Sequence, residues 1–290
     1  MAFTIDDKLV CRLIAEQFPQ LKHLPIQPVE RQGWDNRTFR LGEELSIRLP
    51  SEEGYAAAVE KEAIALTALA PHLSVPLPQI YALGEPTEFY PLPWSIRYWQ
   101  SGDTLDIAPP QDKSAFAVQL ANLLIELRNA PATTTLEAGA HSFYRGCHPT
   151  IYENEVHQSL ILLESQIDTT SCLAIWQSST GSKWSHSPVW FHGDIAVGNI
   201  LMRDSEISAL IDFGTCGVGD PACDYAIAWT YFSEPERTQF QSTLQIDQDT
   251  WQRAKAWALW KSLVTLAGLS SPDQNGVQAR TLKEILDEQV

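Results

Sequence analysis

The sequence predicts an α+β fold with two lobes, because short strand patterns occupy its first third and helical patterns dominate the rest. Turn residues punctuate the strands before residue 100, and sustained helical periodicity begins near residue 113. A chain of 290 residues, 44% of them hydrophobic, is long enough to bury an extended core. We place the boundary between the lobes at residue 100, which gives segments 1–100 and 101–290.

The first predicted elements are three short strands, at Val29–Arg31, Arg37–Leu41 and Leu45–Leu49. Gly33 and Gly42 mark the turns between them. This spacing indicates a small antiparallel sheet.

A long helix is predicted next, from about Tyr55 to Ala70, and Pro71 ends it. Several prolines divide the following stretch into loops and edge strands, and Trp94–Trp99 reads as a further strand. Apolar residues at helical spacing then predict a helix over Lys113–Arg128.

Composition excludes several classes of function. The net charge is −16, with 9 Lys and Arg against 13 Asp and Glu in residues 1–100, and 11 against 23 in residues 101–290. Such a surface disfavours nucleic acid as a partner, whereas the acidic second half is compatible either with a cationic substrate or with ordinary solubility.

Five scattered cysteines predict free thiols. We see no secretory signal and no apolar run of about 20 residues, so we expect a soluble, cytoplasmic protein without a membrane partner.

The most informative segment is VWFHGDIAVGNILMRDSEISALIDFG, at 189–214. An apolar strand ends at His192, a loop runs to Asn199, and the polar turn RDSE precedes a returning strand, Ile207–Ile211. The pattern predicts a loop followed by a hairpin.

If this hairpin closes symmetrically, Met202 faces Ile207 and Asn199 faces Leu210. Asp212 then lies just beyond Asn199 at the open end of the hairpin. Since Asp194 occupies the loop that enters the same end, three oxygen-bearing side chains converge there. Such ligands suit Mg²⁺, which binds one or two carboxylates together with substrate phosphates.

HGDIAVGN (His192–Asn199) resembles the catalytic loop of aminoglycoside phosphotransferases and related small-molecule kinases, and IDFG (Ile211–Gly214) resembles their metal-binding motif at the family's spacing. GDPACDYAIAW (Gly219–Trp229) is similar to the family's continuation. The resemblance extends from about Val29 to the helices beyond Trp229. It implies a protein-kinase-like fold, in which a small antiparallel sheet lobe with one long helix joins a larger, mainly helical lobe.

The resemblance also implies roles for individual residues. Asp194 would be the catalytic carboxylate that meets the acceptor hydroxyl, and Asn199 and Asp212 would hold Mg²⁺ against ATP or GTP. His192 and Asp224 would support the catalytic loop structurally.

Arg48 stands where protein kinases keep a nucleotide-binding lysine. Its expected partner is Glu62, because this carboxylate falls within the apolar stripe of the long helix and a buried carboxylate needs a cation. Glu60 and Lys61 are expected to be solvated. The stripe consists of Tyr55, Val59, Leu66 and Leu69.

The remaining nucleotide contacts rest on weaker patterns. Backbone amides near Gly33 and Asn36 are placed to approach phosphate oxygens, although a plain hairpin turn is an equal alternative. Trp99, with Tyr98 and Gln100, would form the hinge between the lobes, where backbone groups meet the purine. Nothing in these residues separates ATP from GTP.

The sequence leaves the acceptor open. Glu153 and Glu155 in a predicted helix are candidates for binding a cationic acceptor such as an aminoglycoside, and solvated surface glutamates are the alternative. Kinases of choline, homoserine or sugars, a protein kinase, and a non-catalytic pseudo-kinase are further alternatives. Helical spacing predicts that Trp251, Trp257 and Trp260 belong to the core. The oligomeric state is not predicted.

Overall fold

The computed structural model describes residues 4–33, 35–132 and 136–288, and a five-stranded antiparallel sheet dominates its N-terminal part. The strands are β1 (Ile26–Pro28), β2 (Asn36–Leu41), β3 (Leu45–Pro50), β4 (Ile80–Gly84) and β5 (Trp94–Tyr98). Their spatial order is β1-β2-β3-β5-β4. Two helices accompany this sheet, α1 (Asp7–Gln17) and α2 (Ala57–Leu69).

Alternate side chains of β3 point either into an apolar core or toward the candidate site. Leu45, Ile47 and Leu49 join an apolar cluster with residues of α1 on one face of the sheet. Because successive side chains of a strand point to opposite faces, Arg48 lies on the other face, and there it meets Glu62 of α2.

Helix α1 is an element that the sequence analysis did not predict. Asp6 caps it by accepting a hydrogen bond of 2.9 Å from the backbone N–H of Leu9. Val10, Leu13 and Ile14 are buried against the sheet. The capping aspartate and the apolar spacing are ordinary signals of a helix start, so the sequence did contain this information.

The C-terminal part is mainly helical. Its helices are α3 (Lys113–Asn129), α4 (Glu153–Leu163), α5 (Thr169–Ser179), α6 (Ile227–Thr230), α7 (Glu234–Leu244), α8 (Gln248–Leu266) and α9 (Val277–Asp287). Its short strands are β6 (Asp103–Thr104), β7 (Val189–Phe191), β8 (Ile200–Arg203), β9 (Glu206–Leu210) and β10 (Gly217–Gly219). In the described part of the chain, no helix is both long enough and apolar enough to cross a membrane.

A second, larger apolar cluster fills this part and also receives α2. Ala65, Leu66 and Leu69 of α2 pack into it together with residues of α3 to α9. The long helix therefore contacts the sheet through Glu62 and the C-terminal core through its apolar residues. The division of the chain at residue 100 stays a prediction.

Most predicted elements occur within two residues of their expected bounds, and two expectations are wrong. The first strand is Ile26–Pro28 rather than Val29–Arg31, because the side-chain amide of Gln32 bonds to the N–H and C=O of Thr38 and the chain leaves the sheet early.

The second correction concerns the register of the β8–β9 hairpin. Met202 faces Ile207 as predicted, but a bulge beyond this pair brings Ile200, not Asn199, opposite Leu210. Asn199 instead bonds through its carbonyl to the N–H of Ile211 at 2.9 Å, one residue closer to Asp212 than the symmetric hairpin predicts.

Candidate active site

The loop after β7 is fixed by a buried carboxylate. The two oxygens of Asp224 accept hydrogen bonds of 2.7 Å from the backbone N–H groups of His192 and Gly193. Burial raises the pKa of Asp224, and the nearby His192 and the two N–H groups oppose this rise. Asp224 thus fastens the start of the loop to the segment that follows β10.

His192 ties the same loop to the end of β9. Its ring is buried, and Nε2 lies 2.9 Å from the carbonyl oxygen of Ile211. A carbonyl only accepts hydrogen bonds, so Nε2 carries the proton and Nδ1 accepts from the backbone N–H of Asp194 at 3.2 Å. The imidazole therefore positions Asp194 without facing a substrate.

Gly193 allows the loop to pass close to the chain beyond Asp212. Its φ is +85°, and a Cβ added there would lie 2.7 Å from the carbonyl oxygen of Thr215. Only glycine adopts this conformation and this approach without strain.

Asp194 projects from the loop as an exposed side chain, and Asn199 orients it. The amide Nδ2 of Asn199 donates to the backbone carbonyl of Asp194 and to its Oδ2, both at 2.9 Å. This pairing turns the amide oxygen of Asn199 away from Asp194.

Asp212 begins the turn after β9 with a left-handed backbone, φ +66°. Its Oδ1 accepts a hydrogen bond of 3.0 Å from Nη2 of Arg48. A left-handed aspartate is uncommon, and such conformations concentrate where the surrounding structure holds a functional group in place.

Arg48 and Glu62 form the predicted ion pair, with Nη1 of Arg48 3.5 Å from Oε1 of Glu62. A second cation completes this network, since Arg97 of β5 donates to Oε2 of Glu62 at 2.5 Å. Burial alone would raise the pKa of Glu62, but Arg97 and Arg48 together lower it to about 2. Sequence reasoning missed Arg97, which is buried on the same face of the sheet as Arg48.

Lys61 is a correction to the sequence analysis, which placed it in solvent. The residue is buried, and its ammonium donates to the carbonyl oxygens of Gly214 and His141, the latter at 2.9 Å. Burial lowers the pKa of Lys61, and the nearby Cys216 and Glu62 oppose this. Glu60 is exposed as expected. Lys61 thus connects α2 to the turn that starts at Asp212.

The turn between β1 and β2 contributes a carboxylate that the sequence analysis did not identify. Asp35 lies 3.7 Å from Arg48, and it accepts a hydrogen bond of 2.8 Å from Nδ2 of Asn36. Burial, followed by the charge of Asp212, raises the pKa of Asp35. Asn36 is buried beside this cluster, while the carbonyl of Gly33 accepts from Arg37 at 2.7 Å. The approach of Gly33 and Asn36 to phosphate oxygens stays a prediction.

Trp99, which the sequence analysis placed at the hinge, differs from its expected role in one respect. Its backbone N–H donates to the carbonyl of Glu44 at 2.7 Å and is therefore already satisfied. Its ring lies 4.2 Å from the guanidinium of Arg40. Any purine contact at Trp99 must then use its carbonyl or its ring.

A cavity of about 730 Å³ opens beside Asp194. The loop 193–197 forms one wall, and residues of α6, α8 and α9, the segment before α9, Asp106, Lys113 and Arg145 line the rest. The volume falls within the range of small-molecule sites, about 300–1,000 Å³. Trp257 and Trp260 are buried as predicted, yet both also line this cavity.

The glutamates proposed for a cationic acceptor lie elsewhere. Among the described residues that line the cavity, neither Glu153 nor Glu155 occurs. Glu155 accepts a hydrogen bond of 2.8 Å from Nε1 of Trp260, and exposed Glu153 lies 4.0 Å from Nε2 of His157. The sequence analysis did not reveal that Glu155 bonds to a tryptophan that lines the cavity.

Comparison with known proteins identifies the family. The profile of the phosphotransferase enzyme family matches residues 26–257. The chain belongs to this family. A search of curated protein sequences found no match.

Solved structures of phosphotransferases share the fold. The GDP complex of aminoglycoside 2'-phosphotransferase-IIIa is 19% identical, with a TM-score of 0.70, and the match covers 98% of this chain and 100% of the other. Macrolide 2'-phosphotransferase MphH from Brachybacterium faecium is 18% identical, with a TM-score of 0.65 and coverage of 96% and 98%. The streptomycin–ATP–APH(2")-IIa ternary complex is 16% identical, with a TM-score of 0.61 and coverage of 98% and 97%. These matches confirm the kinase-like α+β fold predicted from the sequence.

The donor atoms available to a metal in this phosphotransferase are few. The described residues contain no group of three or more His, Cys, Asp and Glu able to hold an ion. Asn199 Oδ1 and Asp212 Oδ2 accept no hydrogen bond from the described part of the chain. One amide and one carboxylate oxygen fit Mg²⁺, which takes its other ligands from phosphates and water.

Proposed function

We propose that the chain transfers the γ-phosphate of ATP or GTP onto a hydroxyl of a small molecule, with Mg²⁺ bound by Asn199 and Asp212. The observation that carries this proposal is the position of Asp194. Its carboxylate stands at the mouth of the cavity and is oriented by Asn199, on a loop fastened to the segment that carries Asp212. The nucleotide complexes and the aminoglycoside and macrolide phosphotransferases among the structural relatives support a nucleotide donor and a small hydroxylated acceptor.

Each residue has a distinct task in this proposal. Arg48 binds the α- and β-phosphates, held in place by Glu62. When bound, Mg²⁺ neutralises negative charge on the phosphates during transfer. Asp194 aligns the acceptor hydroxyl and accepts its proton at a carboxylate oxygen, while the new P–O bond forms and the bond from the γ-phosphorus to the β–γ bridging oxygen breaks, releasing the nucleoside diphosphate.

Two substitutions test this assignment. Asp194→Ala should keep near-normal affinity for a non-hydrolysable triphosphate with Mg²⁺ while kcat falls about 10²–10⁴-fold, because the residue acts on the acceptor and not on the nucleotide. Asp212→Ala should lose Mg²⁺-dependent nucleotide binding. Calorimetry gives the affinities, and transfer of labelled γ-phosphate to a panel of aminoglycosides, macrolides, amino alcohols, sugars and hydroxy acids gives kcat.

The outcomes separate the alternatives. Undiminished transfer by Asp194→Ala contradicts the catalytic assignment, and Mg²⁺-dependent nucleotide binding by a folded Asp212→Ala protein contradicts the metal assignment. Nucleotide binding without transfer to any acceptor by the wild-type protein indicates a pseudo-kinase.

A further inference from the structure

The cavity beside Asp194 concentrates positive charge in a strongly acidic protein. Four of the 20 Lys and Arg residues line it, although the net charge of the chain is −16. Within the described ranges none of the four forms an ion pair. They are Lys113, Arg145, Lys261 and Arg280.

The carboxylates of the same cavity have other partners. Asp106 pairs with Arg31 at 2.7 Å. Asp273 accepts hydrogen bonds from two backbone N–H groups at the start of α9, at 2.9 and 3.1 Å. Asp194 accepts from Asn199 at 2.9 Å. Among the described residues the four cations therefore form no ion pair with these carboxylates, although the charges of Asp194 and Glu155 act on Lys261.

Arg145 is held rigidly and still has an unused donor. Its Nε donates to the carbonyl of Gly193 at 3.2 Å, and its guanidinium lies 5.1 Å from the ring of Trp257 and 4.6 Å from that of Trp260. Its Nη1 is buried and has no hydrogen-bond partner among the described residues. A buried donor of this kind costs free energy until an acceptor reaches it.

The backbone that carries Arg145 is strained. Phe143 and Tyr144 both have left-handed conformations, with φ +48° and +55°. The buried hydroxyl of Ser142 holds this turn together by donating to the carbonyl of Gly139 or of Arg145, at 3.0 and 2.9 Å. Strain maintained in this way is typical of segments that place a functional side chain.

Lys261 follows Trp260 on α8 and makes no hydrogen bond within the described part of the chain. Burial and the charge of Arg145 both lower its pKa, opposed by Asp194 and Glu155. The charges of Arg145 and Lys261 thus repel each other, and an anion bound beside both would offset the repulsion.

We propose that the acceptor is a hydroxylated small molecule that carries a carboxylate, and that Arg145 and Lys261 bind this group while the two tryptophans contact its body. Such an acceptor differs from the cationic substrate that the acidic composition left as one alternative. The inference rests on the function proposed above, since it names the acceptor of that same site. The γ-phosphate of the nucleotide offers the same anionic chemistry, and the experiment must separate the two sources.

The test compares ligands matched in size but different in charge. One set is glucuronate, glucuronamide and glucosamine, and a second is 4-hydroxyphenyllactate, its amide and octopamine. Binding is measured without nucleotide, by saturation-transfer NMR and calorimetry. We expect the anionic member of at least one set to bind best, and Arg145→Gln and Lys261→Gln each to weaken it about 10-fold or more. Lys283→Gln removes the same charge from an exposed site and should change nothing.

Several results would overturn the inference. These are equal or tighter binding of the neutral or cationic members, no binding of either carboxylate, and unchanged carboxylate affinity in Lys261→Gln. The last remains decisive if Arg145→Gln does not fold, because Lys261 makes no hydrogen bond or ion pair with the described residues. If both variants weaken a non-hydrolysable triphosphate but not the carboxylates, the cations serve the γ-phosphate instead. Failure of the wild-type protein to bind any nucleotide would contradict the proposed function while leaving nucleotide-free carboxylate binding intact.

Discussion

Glu62→Gln isolates the contribution of the buried carboxylate that joins Arg48 and Arg97. Glu62 is the acidic partner of Arg97 at 2.5 Å, and both side chains are about 2% exposed. The substitution keeps shape but removes the charge, so that Arg97 is left buried without an anion. Breaking a buried ion pair in this way costs about 3–5 kcal/mol of unfolding free energy.

The pKa of Glu62 gives a second measure of the same quantity. Its value of about 2 lies below the ordinary 4.5, a difference that corresponds to about 3 kcal/mol. Because the folded value is depressed, this stability is present in full above pH 4.5 and is lost as the pH falls toward 2. By pH 3 about 2 kcal/mol of it is gone.

Urea unfolding of the wild type and the variant, followed by tryptophan fluorescence at pH 7 and pH 3, measures this difference. The gap between the two proteins should shrink at the lower pH, because the unfolded wild type then binds a proton at Glu62 that the folded protein must release. Glu60→Gln, at an exposed position of the same helix, should stay within about 0.5 kcal/mol of the wild type. A gap below about 1 kcal/mol at pH 7, or one that widens at pH 3, would refute the reasoning. Nucleotide KM should rise in Glu62→Gln and not in Glu60→Gln.

Two further predictions concern the catalytic loop and its link to α2. In urea titrations, Gly193→Ala should lower the unfolding free energy by about 1–2 kcal/mol, and it should also reduce kcat. The reason is that the left-handed backbone and the 2.7 Å approach to the carbonyl oxygen of Thr215 exclude a Cβ. Gly198→Ala, where a Cβ meets nothing within 4 Å, should be nearly neutral in the same titration. Lys61→Met should lower the unfolding free energy by about 2 kcal/mol, since two carbonyl groups lose a charged donor. It should also weaken nucleotide binding, measured by calorimetry. Lys8→Met, at an exposed position, is the control, and equal effects of the two substitutions would contradict the structural role of Lys61.

The sequence predicted the parts of the site that depend on local pattern. One strand–loop–hairpin segment contains four of the predicted site residues, so their spacing in the sequence was enough to predict that they lie close together. These residues are His192, Asp194, Asn199 and Asp212. The pairing of Arg48 with Glu62 followed from helical phase and from the cost of burying an unpaired carboxylate.

The parts that were missed depend on contacts between distant segments. Arg97 lies in a strand of aromatic and apolar residues, and only the strand order shows that it shares a face with Arg48. Lys61 is adjacent to Glu62 and looked solvated, but its partners are carbonyl groups some 80 and 150 residues away. A single bulge displaced Asn199 by one position, and the sequence of the hairpin did not reveal it.

Helix α2 is attached to the rest of the structure at three places, and this has a consequence for control of activity. One side of the helix contacts the sheet through the ion pairs of Glu62, and another side packs into the C-terminal core. Lys61 connects the helix to the turn at Asp212 by a hydrogen bond. A helix restrained from three directions has little freedom to swing away from the sheet. In the proposed phosphotransfer its position would therefore offer no separate switch.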